Sequence, residues 1–134
     1  MKYNTKIVTA YYEQCGLPTP IFEYKFHKDR KWKLDIAFPA ERVAVEVQGG
    51  LFVRGRHTQG AALLKEYEKL NELAQMGWRI IYVQPKDVTL QSTVDMIRRA
   101  MVWRFELQDS MKGVDVDAVM FLAGMYQGLS CRIP

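Results

Sequence analysis

Asp35 and Glu46 interrupt two consecutive apolar runs, KLDIAF and VAVEV. A carboxylate in such a run is costly to bury unless something compensates its charge. From Trp32 to Phe38 the apolar residues Trp32, Leu34, Ile36 and Phe38 keep a period of two, which puts Lys33, Asp35 and Ala37 on the other face. From Arg42 to Gln48, Val43, Val45 and Val47 keep the same period and leave Arg42, Ala44, Glu46 and Gln48 opposite them. Pro39 falls between the runs, so a hairpin is the simplest connection. If the two apolar sets share a face, Phe38 opposes Val43, Pro39 to Arg42 form the loop, and Asp35 opposes Glu46. A one-residue slip would mix the faces.

Like charges at directly opposed positions, with Cβ atoms about 5 Å apart, are destabilising. The sequence places no lysine or arginine between them. A divalent ion bound to both carboxylates would remove the repulsion and keep coordination positions for water and a phosphate oxygen. Mg²⁺ suits such a hard, open oxygen site, with Mn²⁺ as a substitute. The carbonyl of Val47 adjoins Glu46 and is a further candidate ligand. Gln48 lies one pleat beyond Glu46 and can reach the same pocket; its amide could hold an attacking water or a phosphate but cannot take a proton as an amine would. The competing reading is a solvated face on which the carboxylates pair with Lys33 or Arg42.

The elements that must position this pair follow from the same periodicities. Ile7, Val8, Tyr11, Tyr12 and Cys15 recur at helical spacing until Gly16, Pro18 and Pro20, which predicts a helix over 5–15. Phe22 to Phe26 reads as a first strand. After the hairpin comes GGLFVRGRHTQG, a loop rich in glycine and arginine. Ala61 to Met76 reads as a helix buried through Leu63, Tyr67, Leu70 and Ala74, with Gly77 as its C′ cap. Residues 78–83, WRIIYV, read as a strand, and Gln91 to Leu107 as a helix buried through Val94, Ile97, Met101 and Phe105. Asp117 to Tyr126 reads as a last helix, entered through Val114 to Val116. Trp32 and Trp78 belong to the core. The order predicts an α/β sandwich around one mixed four-stranded sheet, with extra helices towards the C-terminus over about 91–128.

The 134 residues suit one domain spanning 1–134. With 49% hydrophobic and 25% charged residues, the chain has the balance of a globular protein rather than a disordered one. No apolar stretch approaches the roughly 20 residues of a membrane span, and MKYNTKIVTAYYEQ lacks the apolar centre of a signal peptide, so a cytoplasmic location without membrane partners is expected. Cys15 and Cys131 have no ligand spacing around them; reduced thiols are expected, and no zinc. A net charge of +4 suits an anionic partner. The placement of Lys25, Lys28, Arg30, Lys31, Lys33, Arg42, Arg54 and Arg56 around the hairpin sharpens that expectation.

At these residues the sequence resembles the PD-(D/E)XK nuclease superfamily, whose sites combine an acid on one strand with E-x-K on the next. Asp35 and Glu46 take the acidic positions, and Gln48 stands where lysine is usual, as in members that carry E-x-Q. The stretch FEYKFHKDRKWKLDIAFPAERVAVEVQGGLFVRGRH, followed by EKLNELAQMGWRIIYV, is similar to phage-type endonucleases related to the very-short-patch mismatch repair endonuclease. The matches are Gly49, Gly50 and His57, then Lys69, Asn71, Gly77, Trp78 and Arg79, within about 22–83. The resemblance implies a restriction-endonuclease-like fold and a metal-dependent endonuclease that hydrolyses DNA phosphodiester bonds, from a phage or a bacterium. In the phage case the compartment would be the bacterial host cell.

Within that reading His57, which titrates near neutral pH, would serve as general base, leaving-group acid or phosphate contact. Gly49 and Gly50 either allow close approach of a phosphate or form an ordinary turn. Arg54 and Arg56 would grip the DNA backbone, and Lys33 adds to the same surface. Lys69 either leans into the site in place of the missing motif lysine or pairs with Glu66 three residues earlier. Glu23 is a supplementary acid from the family-like block; Glu13 is a second, facing solvent. A monomer would nick one strand, so duplex breaks would require a homodimer or sequential nicks. Two other readings compete: a DNA-binding module with a decayed site, for which Gln48 argues, and a structure-selective nuclease acting on branched or mismatched DNA.

Overall fold

The structure is a computed structural model and describes residues 2–49, 59–110 and 113. The chain divides into two compact units, Met1–Val102 and Trp103–Pro134. The first holds every strand of the described residues. The expected helix over 117–126, the loop residues Gly50, Arg54, Arg56 and His57, Cys131 and the side chain of Phe105 lie outside the described residues.

Helix α1 spans Thr5–Gln14 and begins at Asn4, whose side chain accepts the N–H groups of Lys6 and Ile7. It ends at Gly16, which adopts a φ of 81°. Strands β1 (Ile21–Lys25), β2 (Lys33–Phe38), β3 (Val43–Val47) and β4 (Arg79–Val83) form one sheet in the order β1-β2-β3-β4. The first two pairings are antiparallel and β3 with β4 is parallel. Helix α2 (Gln59–Gln75) makes the crossover between the parallel strands. A 3-10 turn at Pro85–Asp87 leads into α3, Gln91–Ser110. The protein is thus α/β with a mixed four-stranded sheet. No helix among the described residues is long and apolar enough to cross a membrane.

The hairpin has the expected register. Phe38 opposes Val43, Ala37 opposes Ala44 and Ile36 opposes Val45. Both faces are covered: Ile36, Phe38, Val43, Val45 and Val47 pack with Val8 and Tyr12 of α1 and with Val94, Ile97 and Met101 of α3. Ala37 and Ala44 pack with Leu73 and Trp78 in a second cluster. The Tyr12 hydroxyl, fully buried, donates to the Val88 carbonyl at 2.8 Å and so ties α1 to the entry of α3.

Two expectations need correction. Leu34 packs in the cluster of Ala37, not that of Ile36, and Tyr24 likewise parts from Phe22. Residues two apart on a regular strand share a face, so β1 and β2 both turn over between these positions, at the level of Glu23 and Asp35. Glu23 has a φ of 52°, which marks the distortion on β1. The second correction concerns α2. Leu63 and Tyr67, expected inside, are 47% and 49% exposed, and Ala74 is exposed; Leu73 is buried instead, flanked by Leu70 and Met76.

The rotation of α2 follows from how it ends. The Trp78 N–H donates to the Leu73 carbonyl and the Gly77 N–H to the Ala74 carbonyl, with Gly77 at a φ of 80°. This paired closure brings Trp78 against Leu73. A side chain at Gly77 would meet no neighbour, so only the left-handed backbone opposes it. Gly77→Ala is therefore expected to lower the unfolding free energy by about 1 kcal/mol with no change in the sheet, as read by urea denaturation; parent-like stability would remove the cap from the account.

Candidate active site

Beyond Ile36 and Val45 the β2–β3 ladder changes character. Continuing the register puts Asp35 opposite Glu46. Here the Asp35 N–H donates to Glu46 Oε2 at 3.1 Å, and the Val47 N–H donates to Asp35 Oδ2 at 2.7 Å. Each carboxylate thus takes a backbone N–H from the strand opposite it. The distortion at Asp35 frees those donors for side chains.

The cation expected between the acids comes from α2. Lys69 Nζ lies 2.5 Å from Glu46 Oε1, with the two side chains only 14% and 5% exposed. Among the described residues neither Lys33 nor Arg42 pairs with the two acids. The Arg42 guanidinium instead donates to the Met76 carbonyl and lies over the Trp78 ring. The pair therefore does not need a metal to relieve its repulsion, because the same helix rotation that exposes Leu63 turns Lys69 inward.

Burial pushes the Glu46 carboxyl from its ordinary value of 4.5 up to about 7; the hydrogen bond and charge of Lys69 pull it down, and the neighbouring Asp35 charge adds to the rise. Tyr3 is raised too, first by burial and then by the charges of Asp35, Glu23 and Glu46. Its hydroxyl donates to the Asp35 carbonyl at 3.4 Å, so the segment before α1 closes one side of the pair.

The pair opens into a cleft of about 860 Å³ at the carboxyl ends of β3 and β4, between α2 and the start of α3. This is the end of a parallel pair at which ligands of α/β proteins bind. Asp35, Glu46, Val47, Gln48, Gly49 and Lys69 all line it. The Gln48 N–H donates to the Val83 carbonyl at 2.8 Å, which fixes that residue at the cleft's edge.

Other expected residues lie elsewhere. Glu13 accepts from the Thr19 hydroxyl on a separate surface. Lys33 is exposed and opposes Lys25 at the N-terminal end of β2, two residues before Asp35, but it does not line the cleft. Glu23 is exposed, one strand away from Asp35, and does not line the cleft. Gly50, Arg54, Arg56 and His57 are outside the described residues. Lys2, Tyr3 and Asp87 were not singled out by the sequence, and Glu66 only as an alternative partner of Lys69. Glu66 precedes Lys69 by one helical turn, and that both face the cleft shows only once the buried stripe is known to run through Leu70 and Leu73.

The donor set fits a hard divalent ion: two carboxylates share one cleft wall, and the Val47 backbone adjoins them. No group of three or more His, Cys, Asp or Glu side chains able to hold a metal occurs among the described residues, so such an ion would depend on these two acids, backbone and water. The described residues define an α/β protein with a charged cleft at the ends of its parallel strands. No family model, curated protein or solved structure matches the chain.

The raised Glu46 value has a consequence for stability without metal. A carboxyl with a folded pKa above its unfolded one contributes stability that is complete below pH 4.5 and is lost as pH rises to about 7. Glu46→Gln removes that loss. In EDTA the variant should gain on the parent by on the order of 3 kcal/mol between pH 4.5 and 7, and no more above pH 7.5. Urea titrations across that range check this; a difference independent of pH would place Glu46 in an environment close to water.

Proposed function

We propose that the protein is a metal-dependent endonuclease of restriction-endonuclease-like fold, hydrolysing DNA phosphodiester bonds in a bacterial or phage-infected cell. One observation carries the reading: two opposed carboxylates and a lysine ammonium meet at a single point of a cleft large enough for a strand's backbone. Charge balance supports a bound cation. Asp35, Glu46, Glu66 and Asp87 set four acids against the two ammoniums of Lys2 and Lys69 in the described lining. A polyanion enters such a cleft readily only once further positive charge is present.

Asp35 and Glu46, with the Val47 carbonyl beside them, would hold Mg²⁺ or Mn²⁺. A divalent ion there lowers the pKa of a bound water and neutralises charge on the phosphate. Lys69 Nζ would donate to a phosphate oxygen or to the attacking water, as an amine at the usual motif position would. Gln48 at the cleft's edge would orient water or phosphate through its amide. Lys69 weakens the case for a decayed DNA-binding module, because that case rested on the missing lysine.

The test is cleavage of plasmid, mismatched duplex, flap and four-way junction DNA with Mg²⁺, Mn²⁺ or EDTA. The parent should cut at least one substrate with metal and none in EDTA. Asp35→Asn should be inactive while folding as well as the parent in EDTA. Lys69→Met should lose about a hundred-fold in rate, the scale of one transition-state donor. Gln48→Lys should change the rate or metal preference and leave DNA binding intact. Full metal-dependent activity in Asp35→Asn would sink the proposal.

A further inference from the structure

Lys2 is the other cation of the cleft, and its surroundings differ from those of Lys69. The next two residues are fixed: the Tyr3 hydroxyl bonds the Asp35 carbonyl, its ring packs against Phe22 at 6.1 Å, and Asn4 caps α1. Lys2 therefore projects from an anchored segment, and its side chain lies along Gly49. A Cβ at position 49 would fall 2.9 Å from Lys2 Nζ, 3.2 Å from Cδ and 3.3 Å from Cε. Glycine at 49 thus makes room for the end of this lysine. Lys69 is committed to Glu46. Lys2 forms no ion pair among the described residues, although four acids line the same cleft.

We propose that Lys2, seated against Gly49, is a phosphate-binding residue of this cleft and takes a backbone phosphate of the bound DNA. The substrate class rests on the nuclease reading; the placement of the ammonium does not. An anchored lysine without an acidic partner is set to exchange its counterions for a phosphate. Because the contact is made to the backbone, it strengthens binding of every sequence alike.

The experiment measures binding of a fluorescein-labelled duplex with Ca²⁺ present as the hard divalent ion, across 50 to 200 mM salt, for the parent, Lys2→Met, Lys2→Arg and Gly49→Ala. Lys2→Met is expected to bind about ten-fold more weakly at low salt, with the slope of log K against log salt shallower by about one, the value for one lost phosphate contact. Lys2→Arg should restore the parent's slope. Gly49→Ala should fall between, because the atoms its methyl displaces are the end of a flexible chain and the fold is kept. Equal melting temperatures establish that all four proteins are folded. Parent-like affinity and slope in Lys2→Met, or equal loss in Lys2→Met and Lys2→Arg, would overturn the proposal.

Cleavage in Mg²⁺, measured alongside, separates the two readings. Binding that Lys2→Met weakens, in a parent that cuts no substrate, would keep the phosphate contact and refute the nuclease. Cleavage with Lys2→Met unchanged in KM and kcat would keep the nuclease and refute the contact. A parent that binds no DNA overturns both.

Discussion

Glu46 sits where a carboxylate is hardest to keep. It lies on β3, which is paired on both sides and has all five of its residues buried. Its charge is tolerable only because Lys69 and the Asp35 N–H both reach it. Removing one member of a buried ion pair costs about 3–5 kcal/mol, because the other is left uncompensated. That exceeds the roughly 1.5–3 kcal/mol gained by fully burying one leucine. The exposure of Leu63 and Tyr67 is then intelligible: α2 takes the rotation that satisfies Lys69 and Leu73, at the expense of a second apolar stripe on the same helix.

Two further contacts hold that rotation. Arg30 stacks on Trp32 and donates to Glu68 at 2.6 Å, while His27 Nε2 lies 3.2 Å from Glu72 Oε1. His27 Nδ1 accepts the N–H groups of Asp29 and Arg30, which leaves Nε2 as the donor to Glu72. The segment between β1 and β2 thus clasps Glu68 and Glu72, one turn apart on α2. The clasp also qualifies the charge pattern of the sequence. Arg30 and Arg42, counted there among cations facing an anionic partner, are engaged with Glu68 and with the Met76 carbonyl.

The hairpin register and the carboxylate pair were legible because both rest on local rules: two strict alternations, Pro39 between them, and the requirement that apolar residues share a face. The helix cap at Gly77 was legible for the same reason. The face of α2 was not. Leu63, Tyr67, Leu70 and Ala74 satisfy a helical period as well as Leu70, Leu73 and Met76 do, and only contacts from distant residues choose between them. Lys69 meets an acid 23 residues earlier in the chain, a pairing that neither periodicity nor spacing encodes. The sequence could say that the two acids needed a cation, and the family resemblance offered Lys69 as one; it could not choose that reading over a pair with Glu66. The turnover of β1 and β2 at Glu23 and Asp35 was hidden too, because Glu23 has no residue-type signature for a positive φ.

The compensation by Lys69 changes what a metal would do at this site. Without it, the ion would be a structural necessity and the metal-free fold would carry two repelling charges. With it, Lys69 already relieves the repulsion at Glu46, and an ion bound there would have to share Glu46 with the ammonium. The neutral range of the Glu46 pKa adds a proton to the same competition. A divalent ion at the site would contend with proton and ammonium for a single carboxylate, so its affinity would fall with acidity through Glu46. Burial is the common origin of these effects. It raises the carboxyl's proton affinity, and it excludes water that would otherwise screen the Lys69 charge. A substitution that relieves the strain on the fold removes the field at the cleft with it.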